Sequence, residues 1–232
     1  MAGKSGYIQS VNSAALVRLA RDRNTIVWMD HGIGEFVVQN TPLASFALEA
    51  PPDQAMIDAL KATFSISRHR TVYQDAAFGI RQIVDIALKA LSPGINDTTT
   101  AVMCVDYLTA ILARIAPRQN PSSHRNEDGE LRVIAKGPTF ESLLADAFDQ
   151  LRESANGNLG IMLRMLGALQ TIGSLTVDPS RRRVLHEQVE WIAELAARTI
   201  ESPHDRIYLE HRLGQVREAL KTSKSSFSES RN

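Results

Sequence analysis

Residues 68–106 read RHRTVYQDAAFGIRQIVDIALKALSPGINDTTTAVMCVD. The stretch divides into a helix, a tight turn and a second helix. From Ala76 to Leu91 apolar residues fall on nearly every side, the pattern of a helix with no face turned to water. It still carries Asp75, Arg81, Gln82, Asp85 and Lys89, and buried charge is costly unless paired or hydrogen-bonded. The stretch is therefore a polar-stitched core or a site. Pro93-Gly94 fits the centre of a type II turn, Pro fixing φ and Gly accepting positive φ. Asn96 or Asp97 suits the N-cap of the second helix, accepting from free N–H groups of its first turn. Such N–H groups also attract anions, so the turn at Ser92, Asn96 and Asp97 is either a plain cap or a pocket for a small anionic ligand.

Working outward, Lys+Arg and Asp+Glu number 26 each in 232 residues. That balance gives no general attraction to nucleic acid, and none is expected as a partner. Hydrophobic content of 44% and charged content of 22% suit a soluble globular chain. Cys104 is the one cysteine, so no intramolecular disulfide can form. The first residues carry no signal-peptide core. The longest uncharged runs, 36–48 and 165–177, fall short of the roughly 20 apolar residues a bilayer requires.

Residues 1–50 are expected to form a small β-containing module. SGYIQSV, TIVWM, EFVV and LASFAL read as strands and 13–23 as a helix. Residues 51–221 are expected to form a helical domain with a polar loop at about 117–130 and a short strand at 131–135. Asp53, Thr139, Asp178-Pro179 and Ser202-Pro203 mark helix starts. Residues 222–232 are too polar to fold and are expected to be a disordered tail. The fold class is mainly α (α+β), a helical bundle around a buried helix-turn-helix beside the N-terminal module. The very apolar helix at 159–175 would be completed by a second subunit in a homo-oligomer.

His69, Asp75, Asp85, Asp97, Cys104 and Asp106 crowd the central stretch but match no metal-ligand spacing, and no metal is expected. Ser92 and Cys104 lack a base and an orienting partner, so no catalytic residue is assigned. No phosphate loop occurs, and Gly32 and Gly34 make no dinucleotide fingerprint. The hairpin around Gly34-Glu35-Phe36-Val37 resembles that of biotinyl and lipoyl carriers but lacks their lysine, so no cofactor is expected. Asp75, Gln82 and Asp85 lie seven and three residues apart, near one helix face. Arg68, His69 and Arg70 precede them, and arginine favours bidentate carboxylate contacts with Asp75 or Asp85. These groups bond neighbouring helices, or they line a small polar cavity. The alternative is an uncharacterised hydrolase or transferase using Asp75 or Asp85 as general base.

Ser5-Gly6-Tyr7-Ile8-Gln9, Arg70-Thr71, Gln74-Asp75, Phe78-Gly79-Ile80 and Leu91-Ser92-Pro93-Gly94-Ile95-Asn96-Asp97 together resemble a bacterial family, domain of unknown function 2254. Its members are described as predicted membrane proteins. The resemblance implies a soluble C-terminal part, joined to the membrane through N-terminal transmembrane segments that precede the SGYIQ element. It implies a place at the cytoplasmic face of the inner membrane, or in the cytoplasm for this chain by itself. Thr98 stands where the family pattern has proline, a change expected to be mild because proline there only presets the first helical residue. No activity comes with the resemblance. The expected role is non-enzymatic, in assembly or small-ligand sensing. Arg70, Gln74, Asp75, Gln82, Asp85, Ser92, Asn96 and Asp97 would form its hub.

Overall fold

A computed structural model of the chain describes residues 1–119 and 123–221. The expected tail at 222–232 lies outside the described residues. The chain divides into two units. One comprises Met1–Gly79 and Asn120–Pro138, the other Ile80–Gln119 and Thr139–Asn232. The fold is mainly α, with two small sheets in the first unit.

The first unit begins with β1 (Gly6–Val11), α1 (Ser13–Asp22), β2 (Val27–Met29), β3 (Phe36–Val37), β4 (Ala44–Phe46), α2 (Gln54–Ala62) and β5 (Phe64–Ser67). Two further strands return later in the chain, β6 (His124–Glu127) and β7 (Glu130–Ile134). One sheet runs β3-β1-β5 and the other β4-β2-β7-β6. β1 turns Gly6 and Ile8 inward, and an irregularity between Ile8 and Ser10 shifts the alternation so that Val11 is the next buried residue. Its antiparallel register sets Tyr7 opposite Phe36 and Val11 opposite Phe64. β2 and β7 pair in parallel, joining buried Val27 to buried Val133. Asn12 and Asp53 cap α1 and α2 by accepting from Ala15 N and Met56 N, which satisfies otherwise free donors of each first turn. Leu16, Ala20, Val37, Leu43 and Leu60 fill the core of this unit. The helix between β1 and β2 and the parallel pair separate this topology from a carrier half-barrel.

The expected loop at 117–130 contains a strand. β6 and β7 form a hairpin turned by Asp128 (φ 55°) and Gly129 (φ 80°). Two central residues at positive φ make the turn whose twist matches its flanking strands, and Asp-Gly favours it.

The second unit carries most of α3 (Ala76–Leu91), then α4 (Thr98–Ile115), α5 (Phe140–Ser154), α6 (Leu159–Ser174), α7 (Pro179–Thr199) and the described helix α8 (Pro203–Lys221). The division between units falls within α3, after Gly79. Each start has a side-chain cap: Asp97 for α4, Thr139 with Ser142 in a capping box for α5, Asn158 for α6, and Asp178 before Pro179 for α7.

α3 corrects the expectation of a helix buried all round. Ile80, Val84, Ala87 and Ala90 form one buried face, while Gln82, Asp85, Ile86 and Lys89 are exposed. The inner post of this unit is α6. Its Ile161, Met162, Met165, Leu166, Leu169 and Ile172 are sealed, and α4, α7 and α8 pack around it. Its apolar sides are covered within its own unit, which removes the reason given for a second subunit at 159–175. α4 has a mean hydropathy of 1.3 over 18 residues and is, by length and composition, long and apolar enough to cross a membrane. Asp106 and the threonines interrupt its apolar run. Ala101, Cys104, Val105, Leu108 and Leu112 bury one side of it, packed toward α5 and α6.

Truncating Leu166 to alanine should cost about 2–5 kcal/mol by denaturant unfolding, the usual range for a sealed leucine. Ile86→Ala, on the open face of α3, should stay within about 0.5 kcal/mol. Equal losses would place the core at α3 after all.

Candidate functional site

Asp75 is the immediate neighbour of α3 and only 4% exposed. Its Oδ1 accepts from Phe78 N at 2.9 Å, so it is the N-cap of α3. Arg70 grips the same carboxylate with two prongs, Nε to Oδ2 at 2.8 Å and Nη2 to Oδ1 at 3.0 Å. The Arg70 guanidinium also lies 4.9 Å from the Phe78 ring centroid, a cation–π distance. Gly34 (φ 86°) completes the enclosure. A Cβ there would stand 2.7 Å from Arg70 Nη2 and 3.0 Å from Asp75 Cγ, so both backbone conformation and space demand glycine.

The segment that brings Arg70 and Asp75 together is stapled to β1. Gln9 Nε2 donates to His69 O at 2.7 Å, and Val11 N donates to Gln74 Oε1 at 3.1 Å. Beside Gly34, Glu35 accepts from Lys136 Nζ at 2.8 Å and lies 2.9 Å from His31 Nδ1. Burial pushes the Glu35 carboxyl up, but hydrogen bonds from Lys136, His31 and Gly32 hold it below the ordinary glutamate value.

The other expected hub residues sit apart from this knot. Gln82 and Asp85 lie on the exposed side of α3, where Asp85 pairs with Arg81 at 2.7 Å and Arg81 also donates to Gln150 Oε1 at 2.8 Å. Ser92 ends α3 locally, its Oγ donating to Lys89 O at 2.7 Å. Ile95 N closes the turn onto Ser92 O at 3.0 Å. Pro93-Gly94 is the bend, but the left-handed residue is Asn96 (φ 49°) rather than Gly94. The short polar side chain of asparagine tolerates that conformation. Asp97 caps α4, accepting from Thr100 N at 3.0 Å and from the Thr100 hydroxyl. Those two bonds, the hydroxyl's first, hold its carboxyl below the usual aspartate value.

The expected hub thus separates into a hydrogen-bonded knot around buried Asp75 (Arg70, Gln74, Asp75), an exposed pair (Gln82, Asp85) and a capped turn (Ser92, Asn96, Asp97). Among the described residues no cluster of His, Cys, Asp and Glu is placed to hold a metal ion. An opening that the sequence did not announce lies in the second unit. It is a groove of about 670 Å³ among α4, α6 and α8, with Asp106, Arg164 and Arg212 on its walls. Its residues come from three distant stretches, so no local motif marks it.

A family model described as "Predicted membrane protein (DUF2254)" matches residues 1–171. Uncharacterized protein Mb1321c of Mycobacterium bovis is 31% identical over 212 residues, covering 89% of this chain. Uncharacterized protein Rv1290c of Mycobacterium tuberculosis has the same identity and coverage. The chain spans about 40% of the length of these curated relatives. No solved structure matches it.

Gly34→Ala should destabilise the protein by about 1–3 kcal/mol, because it adds strain at positive φ and crowds the ion pair. Gly94→Ala should cost little, since no left-handed conformation is needed there. Asp97 should make the melting temperature fall in acid. Its depressed carboxyl stabilises the fold above the unfolded value of about 4, and that contribution disappears as pH drops through the folded value. In Asp97→Asn this part of the acid slope should flatten, measured by melting across the acid range. An unchanged slope would remove the charged cap from the account.

Proposed function

Since the chain belongs to the domain of unknown function 2254 family of predicted membrane proteins, we propose that it is an extramembrane part of such a protein. Its role is non-enzymatic, in assembly or in sensing a small ligand. The observation that carries this is the fate of Asp75. A catalytic base needs a free lone pair facing substrate. The Asp75 carboxylate instead takes both prongs of Arg70 and caps α3, in a pocket 4% exposed. Asp85, the other expected base, is open to water but held by Arg81. Carboxylates whose oxygens are taken by arginine partners favour scaffold over chemistry, because their lone pairs are already occupied. The single cysteine, buried and free, fits a reducing compartment. It supports the cytoplasmic face of the inner membrane as the location.

The test is turnover. Purified protein incubated with carboxylic and phosphoric esters should release no product above background. Product release that vanishes in Asp85→Asn would contradict the proposal and restore the hydrolase alternative.

A further inference from the structure

The groove among α4, α6 and α8 lies within the second unit and shares no residue with the knot at Asp75. Its chemistry is ordered along α6. At one end Arg164 projects from α6, and about one helical turn on, at 1.5 Å rise per residue, Gly167 lies beneath Arg212 of α8. A Cβ at 167 would stand 3.5 Å from Arg212 Nη2, so the guanidinium rests close over bare backbone. Arg164 is oriented by Asp106 of α4 through its Nε, which leaves its two terminal amino groups without a partner among the described residues. Arg212 donates through Nη1 to Gln215 Oε1 at 3.1 Å, leaving Nη2 to point elsewhere. Two arginines against one aspartate make the charged lining net positive.

Three hydroxyls line the groove from the α4 and α6 sides, with Thr109 on α4 and Thr171 and Ser174 further along α6. All three have committed their hydrogens to their own helices. Thr109 donates to Val105 O at 2.6 Å, Thr171 to Gly167 O at 3.0 Å and Ser174 to Thr171 O at 2.8 Å. What they present to the groove is lone pairs, which accept from a ligand's hydroxyls. Among the described residues the lining contains no aromatic side chain, so these walls offer no platform for a stacked base.

From this arrangement we propose that the groove binds a phosphate carried on a polyol, an inference that rests on the sensing reading above and names its ligand class. Arg164 and Arg212 hold the phosphate, and Thr109, Thr171 and Ser174 accept from the polyol hydroxyls. A phosphate has enough terminal oxygens to engage two guanidinium groups at once, each through paired N–H···O bonds. The same chemistry occurs as a free sugar-alcohol phosphate and as the headgroup of an acidic lipid.

The experiment is calorimetric titration of the whole chain at low ionic strength with sn-glycerol 3-phosphate and with inorganic phosphate. It is paired with flotation on phosphatidylglycerol and phosphatidylcholine vesicles. Glycerol phosphate is expected to bind, and more tightly than inorganic phosphate. Arg164→Gln or Arg212→Gln should each weaken it about tenfold, with an unchanged melting temperature. Arg212→Lys, which keeps the charge and loses the fork, should weaken it less. Thr171→Val should weaken glycerol phosphate and leave inorganic phosphate unaltered. Binding of the free compound identifies a soluble ligand, and binding only to phosphatidylglycerol vesicles, again lost in the arginine variants, identifies the lipid headgroup. No binding in either form, affinity unmoved by both arginine-to-glutamine changes, or equal affinity for glycerol phosphate and inorganic phosphate would overturn the proposal. Those failures leave the non-enzymatic role standing, and ester turnover would end that role without touching the groove.

Discussion

One carboxylate, that of Asp75, does two jobs in the first unit. It satisfies a free donor at the start of α3 and it neutralises a guanidinium that is itself only 25% exposed. Either half would be incomplete by itself. A nearly sealed carboxylate with one backbone bond would keep unmatched charge, and a three-quarters-buried arginine with no anion would do the same. Together they close the path from β5 into α3 and hold the chain against Gly34. The requirement then spreads outward. Glycine must stand at 34, Gln9 and Gln74 must tie the connecting segment to β1, and Phe78 must lie under the guanidinium.

The second unit depends on a different constraint, the burial of α6 from several sides. Helix ends need their free backbone groups matched, and asparagine and aspartate caps supply this at α4, α6 and α7. Arg181 of α7 performs a related task. Its guanidinium donates to Ala116 O at 2.8 Å and to Ile115 O at 3.2 Å, carbonyls at the end of α4, and it stacks 4.9 Å from the Phe140 ring. Polar chemistry inside both units is thus mostly structural. The open polar surface on the groove walls is where a ligand finds donors and acceptors not wholly used by the fold.

Helices were legible because their signals are local. α3 and the starts of α4, α5, α6 and α7 follow from apolar spacing and from caps readable within a few residues. The family was legible from the elements at 5–9, 70–80 and 91–97. Asp75 departs from the spacing argument for a physical reason. Spacing of seven and three to Gln82 and Asp85 places it on a helix face only if it lies inside the helix. As N-cap it precedes the helix, and its side chain turns back to the first-turn N–H and to Arg70. The all-round apolar pattern of α3 misled in the same way, since an exposed isoleucine such as Ile86 is common and proves no burial. β6 has a local signal, the turn-forming pair Asp128-Gly129 between short polar strands. The approach of Gly34 to Arg70 and Asp75, and the meeting of Asp106, Arg164 and Arg212, are products of tertiary packing with no imprint in sequence spacing.

The most direct measurement is a double-mutant cycle on Arg70 and Asp75, using Arg70→Gln, Asp75→Asn and the combined variant in denaturant unfolding. If the shared carboxylate organises the first unit, the two changes will be non-additive, with a coupling energy of about 1–3 kcal/mol, as expected for residues bonded within one network. Additivity within about 0.3 kcal/mol would show the two side chains acting independently and would contradict the account.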